Sequence, residues 1–149
     1  MTIPSLNEFL TEDHDRLDEI LDRFQEQKAE NSVEAAELLT RFTSALRRHL
    51  LWEETILFPL FEQKTGQSGL TDTLRGEHEE IREWLAALNE NVKEGDTDSD
   101  RAADVLINEL GGHNAREEHA LYPRLDTLLS EAERQAAFAA MSAIPEETS

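Results

Sequence analysis

The chain has 149 residues, 38% of them hydrophobic and 6% aromatic, which suits one domain built around one core. Its 33 acidic against 14 basic residues give a formal charge of -19, which opposes binding to nucleic acid or anionic lipid. Because no cysteine is present, disulfides, thiolate metal sites and cysteine nucleophiles are excluded, and any metal must be held by histidine and carboxylate.

Four long segments carry apolar residues at spacings of three and four, the pattern of amphipathic helices. Their predicted bounds are roughly 5–28, 33–64, 71–93 and 100–123, and a short fifth helix is predicted at about 131–143. Pro59 predicts a kink or an early end in the second helix. The stretch from Glu94 to Asp100 predicts an exposed loop, and Ser130 with Glu133 predicts a capping box at the start of the fifth helix.

The helix lengths and short connections predict the fold class. An all-α chain with four helices of about 20 to 30 residues favours an antiparallel up-down-up-down four-helix bundle with a short C-terminal fifth helix. The low aromatic share and the scarcity of β-branched runs argue against a sheet. A looser helical array is the alternative. Residues 1–149 are expected to form a single domain.

The sequence repeats itself at an offset of 64 residues. The segment HLLWEETILFP, which starts at His49, aligns without a gap on HNAREEHALYP, which starts at His113. At the same offset, HDRLDEIL from His14 aligns on HEEIREWL from His78. The chain therefore consists of two helix-pair repeats, about 5–64 and 70–129, and each reads histidine, a second histidine 35 residues later, and a glutamate four residues after that.

The repeated histidines and glutamates lie on the apolar faces of the predicted helices. Residues four apart in an α-helix lie about 40° and about 6 Å apart on one face. His49 and Glu53 can therefore reach a common point in the core, and so can His113 and Glu117. The predicted inward series of the second helix is Leu39, Phe42, Leu46, His49, Glu53, Ile56 and Leu60.

These positions predict a metal site. His14 and His78 occupy inward positions on the first and third helices, so four histidines and two glutamates face one core. A single histidine on an apolar stripe is usually only a packed residue, but a buried glutamate costs several kcal/mol unless a cation balances it. A pair of metal ions would neutralise both carboxylates and accept all four imidazoles. The predicted ligands are His14, His49, Glu53, His78, His113 and Glu117.

The paired motifs H-x3-E-E-x2-L-F-P at His49 and H-x3-E-E-x2-L-Y-P at His113 carry a family resemblance. With one histidine on each preceding helix, they resemble the hemerythrin family and its HHE cation-binding relatives over nearly the whole chain. The resemblance implies two iron ions joined by an oxo or hydroxo bridge, with manganese or zinc as chemical alternatives. It further implies that the two histidines of each repeat serve one iron and that Glu53 and Glu117 bridge the two irons.

The chain departs from the oxygen-carrying members of that family. Those proteins hold a fifth histidine through an H-x3-H pair on the third helix, whereas Leu74 and Arg82 stand four residues before and after His78 here. The remaining histidine, His119, lies about 240° around the helix from His113 and is predicted to be a surface residue. The E-x-x-H motif of ferritin-like proteins is also absent.

Three further residues near the motifs are left with open roles. Glu54 and Glu118 lie about 140° around their helices from the motif histidines, which favours flanking faces, although a role as added ligands stays open. Tyr122 is interpreted as a residue that shields the site or caps its end.

These features predict a non-haem di-iron protein that binds or reacts with a small diatomic or peroxide, such as O2, NO or H2O2. The alternative is a module that senses iron, oxygen or NO, or that handles iron in repair or storage, without turnover. Enzymatic activity is therefore left open. No nucleic-acid or membrane partner is expected, and the absence of a signal-peptide pattern and of a long apolar stretch predicts a cytoplasmic protein.

Overall fold

The computed structural model describes residues 4–95 and 99–146, without the side chain of Ser99, and all regular structure in these ranges is helical. The α-helices are α1 (Leu6–Gln27), α2 (Ser32–Trp52), α3 (Phe58–Thr65), α4 (Gly69–Glu94), α5 (Ser99–Arg116), α6 (Tyr122–Leu128) and α7 (Glu131–Ser142). Two π-helical turns, π1 (Glu53–Leu57) and π2 (Glu117–Leu121), join α2 to α3 and α5 to α6. None of these helices is long and apolar enough to cross a membrane.

Polar side chains satisfy free backbone groups at the starts of α1, α2 and α7, and at α2 the side chain of Asn31 accepts a hydrogen bond of 3.1 Å from a backbone N–H group. Ser130 and Glu133 form the predicted capping box at the start of α7, with bonds of 2.9 and 3.1 Å. The carboxylate of Asp126 accepts hydrogen bonds from the N–H groups of Leu6 and Asn7, at 2.7 and 3.0 Å. This contact ties α6 to the first turn of α1, since those N–H groups have no partner within their own helix.

The predicted loop between the third and fourth helices lies partly outside the described residues. Glu94 is the last residue of α4, and Gly95 follows it with a φ of +69°. Glycine adopts this left-handed conformation without steric strain, which makes it a suitable residue to end a helix.

The helices pack in a way that is consistent with a helical bundle. α1 packs along α2 and α4 along α5, while α2 also contacts α4 and α6 contacts α1. The buried apolar residues form two clusters. The large cluster combines residues 17–24 of α1, 35–50 of α2, 81–88 of α4 and 102–110 of α5. The small cluster combines Leu6, Leu10, Trp52, Leu57, Phe58, Phe61, Leu74, Leu121, Tyr122, Leu125, Leu129 and Met141.

The predicted metal ligands lie between these two clusters. On α1, Leu10 belongs to the small cluster and Leu17 to the large cluster, with His14 between them. On α4 the chain also passes from the small cluster through His78 to the large cluster, whereas α2 and α5 lead from the large cluster through their motif residues to the small cluster. The polar residues are therefore enclosed by apolar packing on both sides along the helix axes, which excludes water from them.

The predicted inward series of the second helix is wrong beyond its glutamate. Ile56 and Leu60 are only half-buried, whereas Leu57 and Phe61 are buried. The π turn contains one more residue than an α turn, so the apolar positions that follow it are rotated by about 100°. The helix does not end at Pro59, because the chain stays helical beyond it and the break in the α-helical pattern lies in the turn before the proline.

We expect the substitution Phe42→Ala to lower the free energy of unfolding by about 3–5 kcal/mol, because it leaves a cavity in the large cluster. The measurement is urea denaturation of the metal-free protein. Val33→Ala is the control, since Val33 is 69% exposed, and it should change the free energy by less than about 0.5 kcal/mol. Equal small effects of both substitutions would contradict the assignment of this core.

Candidate metal centre

The structure brings all six predicted ligands together in one buried cluster. None of them is more than 2% exposed. The imidazole rings form two close pairs, with centroids 4.7 Å apart for His14 and His49 and 4.8 Å apart for His78 and His113. Each pair combines one histidine from a helix that starts a repeat and one from the helix that follows it.

One set of ligand atoms surrounds the second pair of histidines. Nε2 of His78 lies 3.0 Å from Oε1 of Glu53, and Nε2 of His113 lies 3.1 Å from Oε2 of Glu117. The four side chains offer ligand atoms that all lie within 4.8 Å of one another. Two imidazoles and two carboxylates at these separations are suited to hold one cation.

A second set of ligand atoms surrounds the first pair of histidines. Nε2 of His14 lies 3.2 Å from Oε1 of Glu117, and Nε2 of His49 lies 3.7 Å from Oε2 of Glu53. His14, His49 and Glu117 offer ligand atoms within 4.8 Å of one another. The two oxygens of Glu117 therefore face different histidine pairs, and so do the two oxygens of Glu53.

Each histidine of the cluster has a carboxylate on the side that faces away from the centre. An imidazole that donates its Nδ1–H to an outer carboxylate presents the Nε2 lone pair inward, and such partners fix the orientation of metal-binding histidines. The pairs, with Nδ1 to oxygen distances of 2.7, 2.7, 2.8 and 2.9 Å, are His14–Glu118, His78–Glu54, His49–Asp13 and His113–Glu77.

Arginines support three of these outer carboxylates from the solvent side, and the longest of these contacts is the hydrogen bond of 3.3 Å from Arg16 to Asp13. Arg82 donates hydrogen bonds of 2.6 and 2.8 Å to the two oxygens of Glu54. Burial works against ionisation of Glu54, but His78 and Arg82 outweigh it and lower the pKa of this carboxyl to about 2. Arg116 likewise donates hydrogen bonds of 3.0 and 2.6 Å to Glu77.

Spacing along single helices does not reveal these outer carboxylates. Glu54 and Glu118 lie on the predicted flanking faces, where each contacts a histidine of the other repeat. Asp13 and Glu77 directly precede the first histidine of each repeat and align at the offset of 64. This recurrence of an acidic residue directly before the histidine is the sequence signal that could have identified Asp13 and Glu77.

Two residues near the motifs occupy very different environments. His119 is exposed and lies outside the cluster, with its Nδ1 2.7 Å from the carbonyl oxygen of Ala115, so the surface prediction is confirmed. Tyr122 is fully buried, and its hydroxyl donates to Glu53 at 2.6 Å and lies 3.0 Å from Glu117. Burial and the charges of these two glutamates raise the pKa of Tyr122 well above its ordinary value.

Without a metal, the carboxylates of the cluster favour protonated histidines. Burial lowers the pKa of His49, but the charges of Glu53 and Asp13 outweigh it and raise that pKa to about 10. Burial also opposes the charge on His113, but contact with Glu117 and Glu53 raises the pKa of His113 to about 11. The buried carboxylates thus demand positive charge, which protons supply in part.

The donor set fits a cation better than protons. Nε2 of His113 and Oε2 of Glu117 are buried and make no hydrogen bond, although they lie 3.1 Å apart. Such buried, unpaired polar atoms are costly, and a metal between them would satisfy both. Imidazole nitrogen and carboxylate oxygen are ligands that suit iron, zinc and manganese.

Comparison with known proteins points to one family. Residues 5–125 match the family profile described as the Hemerythrin HHE cation binding domain. An uncharacterised hemerythrin-like protein of Schizosaccharomyces pombe is 30% identical over 113 residues, which is 74% of this chain. The match spans 55% of the length of that relative. No solved structure matches the chain significantly.

We expect the melting temperature of the metal-free protein to fall as the pH rises from 6.5 to about 10. The raised pKa values of His49 and His113 add stability that is complete below their ordinary pKa of 6.5, and it is lost progressively as the pH rises toward about 10 for His49 and about 11 for His113. The measurement is thermal unfolding at several pH values. Metal-loaded protein is the control and should show a much flatter profile, since a metal then replaces the protons. A flat or rising profile for the metal-free protein would contradict this electrostatic account.

Proposed function

Because the chain belongs to the hemerythrin HHE cation-binding domain family, we propose that it is a non-haem di-iron protein that binds or reacts with a small diatomic or peroxide. The observation that carries this proposal is the convergence of four histidine Nε2 atoms on two buried carboxylates, with an outer carboxylate behind each histidine. Iron bound in such a site supplies redox chemistry and an open coordination position.

The distances support two metal ions in the proposed site. His14 and His49 would hold one iron, and His78 and His113 would hold the other. The two oxygens of Glu117 lie 3.2 and 3.1 Å from Nε2 atoms of different pairs, which supports a bridging role. Glu53 lies between the same two pairs, at 3.0 and 3.7 Å, and is proposed to bridge in the same way.

The space beside the histidines supports a very small exogenous ligand. A cavity of about 10 Å³ adjoins three of the proposed ligands, His14, His49 and His113, and leucines of α1, α2 and α5 form much of its wall. Such a volume holds about one water molecule. O2, NO and H2O2 are of this size class, whereas a larger organic substrate would require the helices to separate.

The proposal includes the arrangement of the helices. The pairing of α1 with α2 and of α4 with α5 supports an antiparallel up-down-up-down order. A single domain formed by two helix-pair repeats is supported by the π turns, which recur at the offset of 64 residues, at 53–57 and 117–121.

We expect His113→Ala to bind fewer than two irons per chain and to lose the stabilisation that metal provides. A metal that binds only the native state contributes about 4 kcal/mol at 1,000 times its dissociation constant. Iron analysis and thermal unfolding measure the two effects. His119→Ala is the matched control, since it removes an exposed histidine six residues away, and it should change neither. Full iron content in His113→Ala would remove His113 from the ligand set.

We expect iron-loaded wild-type protein to change its optical spectrum when O2, NO or H2O2 is added to the anaerobic iron(II) form. Removal of the added molecule, by argon for O2 and NO and by desalting for H2O2, separates the two outcomes. Recovery of the initial spectrum indicates reversible binding, and a lasting change with consumption of the added molecule indicates turnover. His113→Ala serves as the control with a disrupted site. If two irons bind and none of the three molecules alters the spectrum, the proposed reactivity is wrong.

A further inference from the structure

The hydroxyl of Tyr122 lies among the proposed ligands of one metal. It is 2.6 Å from Oε2 of Glu53, 3.0 Å from Oε1 of Glu117, and 3.2 Å from Nε2 of both His14 and His49. A phenol oxygen can donate one hydrogen bond and accept two, so at most three of these four contacts can be hydrogen bonds at the same time. Hydrogen bonding alone therefore does not account for the convergence of all four on this oxygen.

The four distances are those of neighbouring ligands around a metal. With metal–ligand bonds of about 2.1 Å at right angles, adjacent donor atoms lie about 3 Å apart. The oxygen of Tyr122 keeps this separation, within a few tenths of an ångström, from both histidines of the first pair and from both glutamates. It therefore occupies the place of one more donor atom around a cation held by His14 and His49.

We infer that Tyr122 is a protein ligand of the metal held by His14 and His49. This inference rests on the proposed di-iron function. The phenolic oxygen would bind as phenolate, and its proton would be released to solvent as the metal binds, as happens with other ligands that must lose a proton. The side chain would then do more than shield the site or cap its end.

The repeat shows that this hydroxyl is a difference between the two halves of the site. Tyr122 aligns with Phe58 at the offset of 64. The ring of Phe58 packs on His78 at 5.3 Å and 32°, and the ring of Tyr122 packs on His14 at 5.6 Å and 36°. The two rings occupy equivalent places, and only one carries an oxygen.

The two metal positions are consequently unequal. The position served by His78 and His113 has the hydrocarbon ring of Phe58 where the other has a phenol. On this inference it has one protein ligand fewer than the position served by His14 and His49. At this pair of positions the two halves differ by a single oxygen atom.

The composition of the chain makes the test direct. Tyr122 is the only tyrosine in the sequence, so a phenolate-to-iron(III) charge-transfer band in the visible spectrum can come from no other side chain. We expect oxidised, iron-loaded wild-type protein to show this band, together with resonance-enhanced tyrosine ring vibrations that shift when ring-deuterated tyrosine is incorporated. The isotope measurement uses the wild-type protein and needs no variant.

Two variants complete the test. Tyr122→Phe should lose the band while it keeps two irons per chain. The double exchange Phe58→Tyr with Tyr122→Phe should regain the band, because the hydroxyl moves to the equivalent place beside His78. Wild-type protein with two oxidised irons and no phenolate band would overturn the tyrosine ligand but leave the di-iron proposal intact. Wild-type protein that binds no iron would overturn both.

Discussion

The burial of two glutamates in an apolar interior is the constraint on which the rest of the structure depends. Glu53 and Glu117 have no exposed surface, and an unbalanced carboxylate in such a place would oppose folding. Imidazoles from four helices surround them, and carboxylates stand behind the imidazoles. Three of these carboxylates face Arg16, Arg82 and Arg116. Charged and polar groups of opposite character thus alternate from the centre outward, and each outer layer lowers the free-energy cost of burying the layer inside it.

The sequence predicted the helices and the inward positions of the six histidines and glutamates because both depend on spacing within one helix. His49 and Glu53 share a face for reasons of helix geometry alone. The π turns were not predictable in this way. Pro59 indicates an irregularity in the helix but does not indicate that the irregularity is a π turn. The burial of Phe61 instead of Leu60 is a consequence of that π turn. The outer carboxylates depend on contacts between distant helices, which a periodic pattern does not encode.

The repeat explains why the site is nearly symmetric and also shows where symmetry fails. A framework with equivalent histidines at 14 and 78 places equivalent demands on both halves. Asp18 nevertheless stands where the second repeat has Arg82, and Tyr122 stands where the first has Phe58. Substitutions at positions beside the repeated histidines can therefore make the two halves different in charge and polarity while the repeated framework is kept.

The outer carboxylates next to the glutamate motifs are exchanged between the repeats. Glu118 of the second repeat holds His14 of the first, and Glu54 of the first repeat holds His78 of the second, both at 2.7 Å. Reciprocal contacts of this kind define the isologous interface of a twofold dimer, in which each partner completes the other. In these two contacts the chain resembles a dimer whose subunits are covalently joined, and neither helix pair contains all the residues of the cluster by itself.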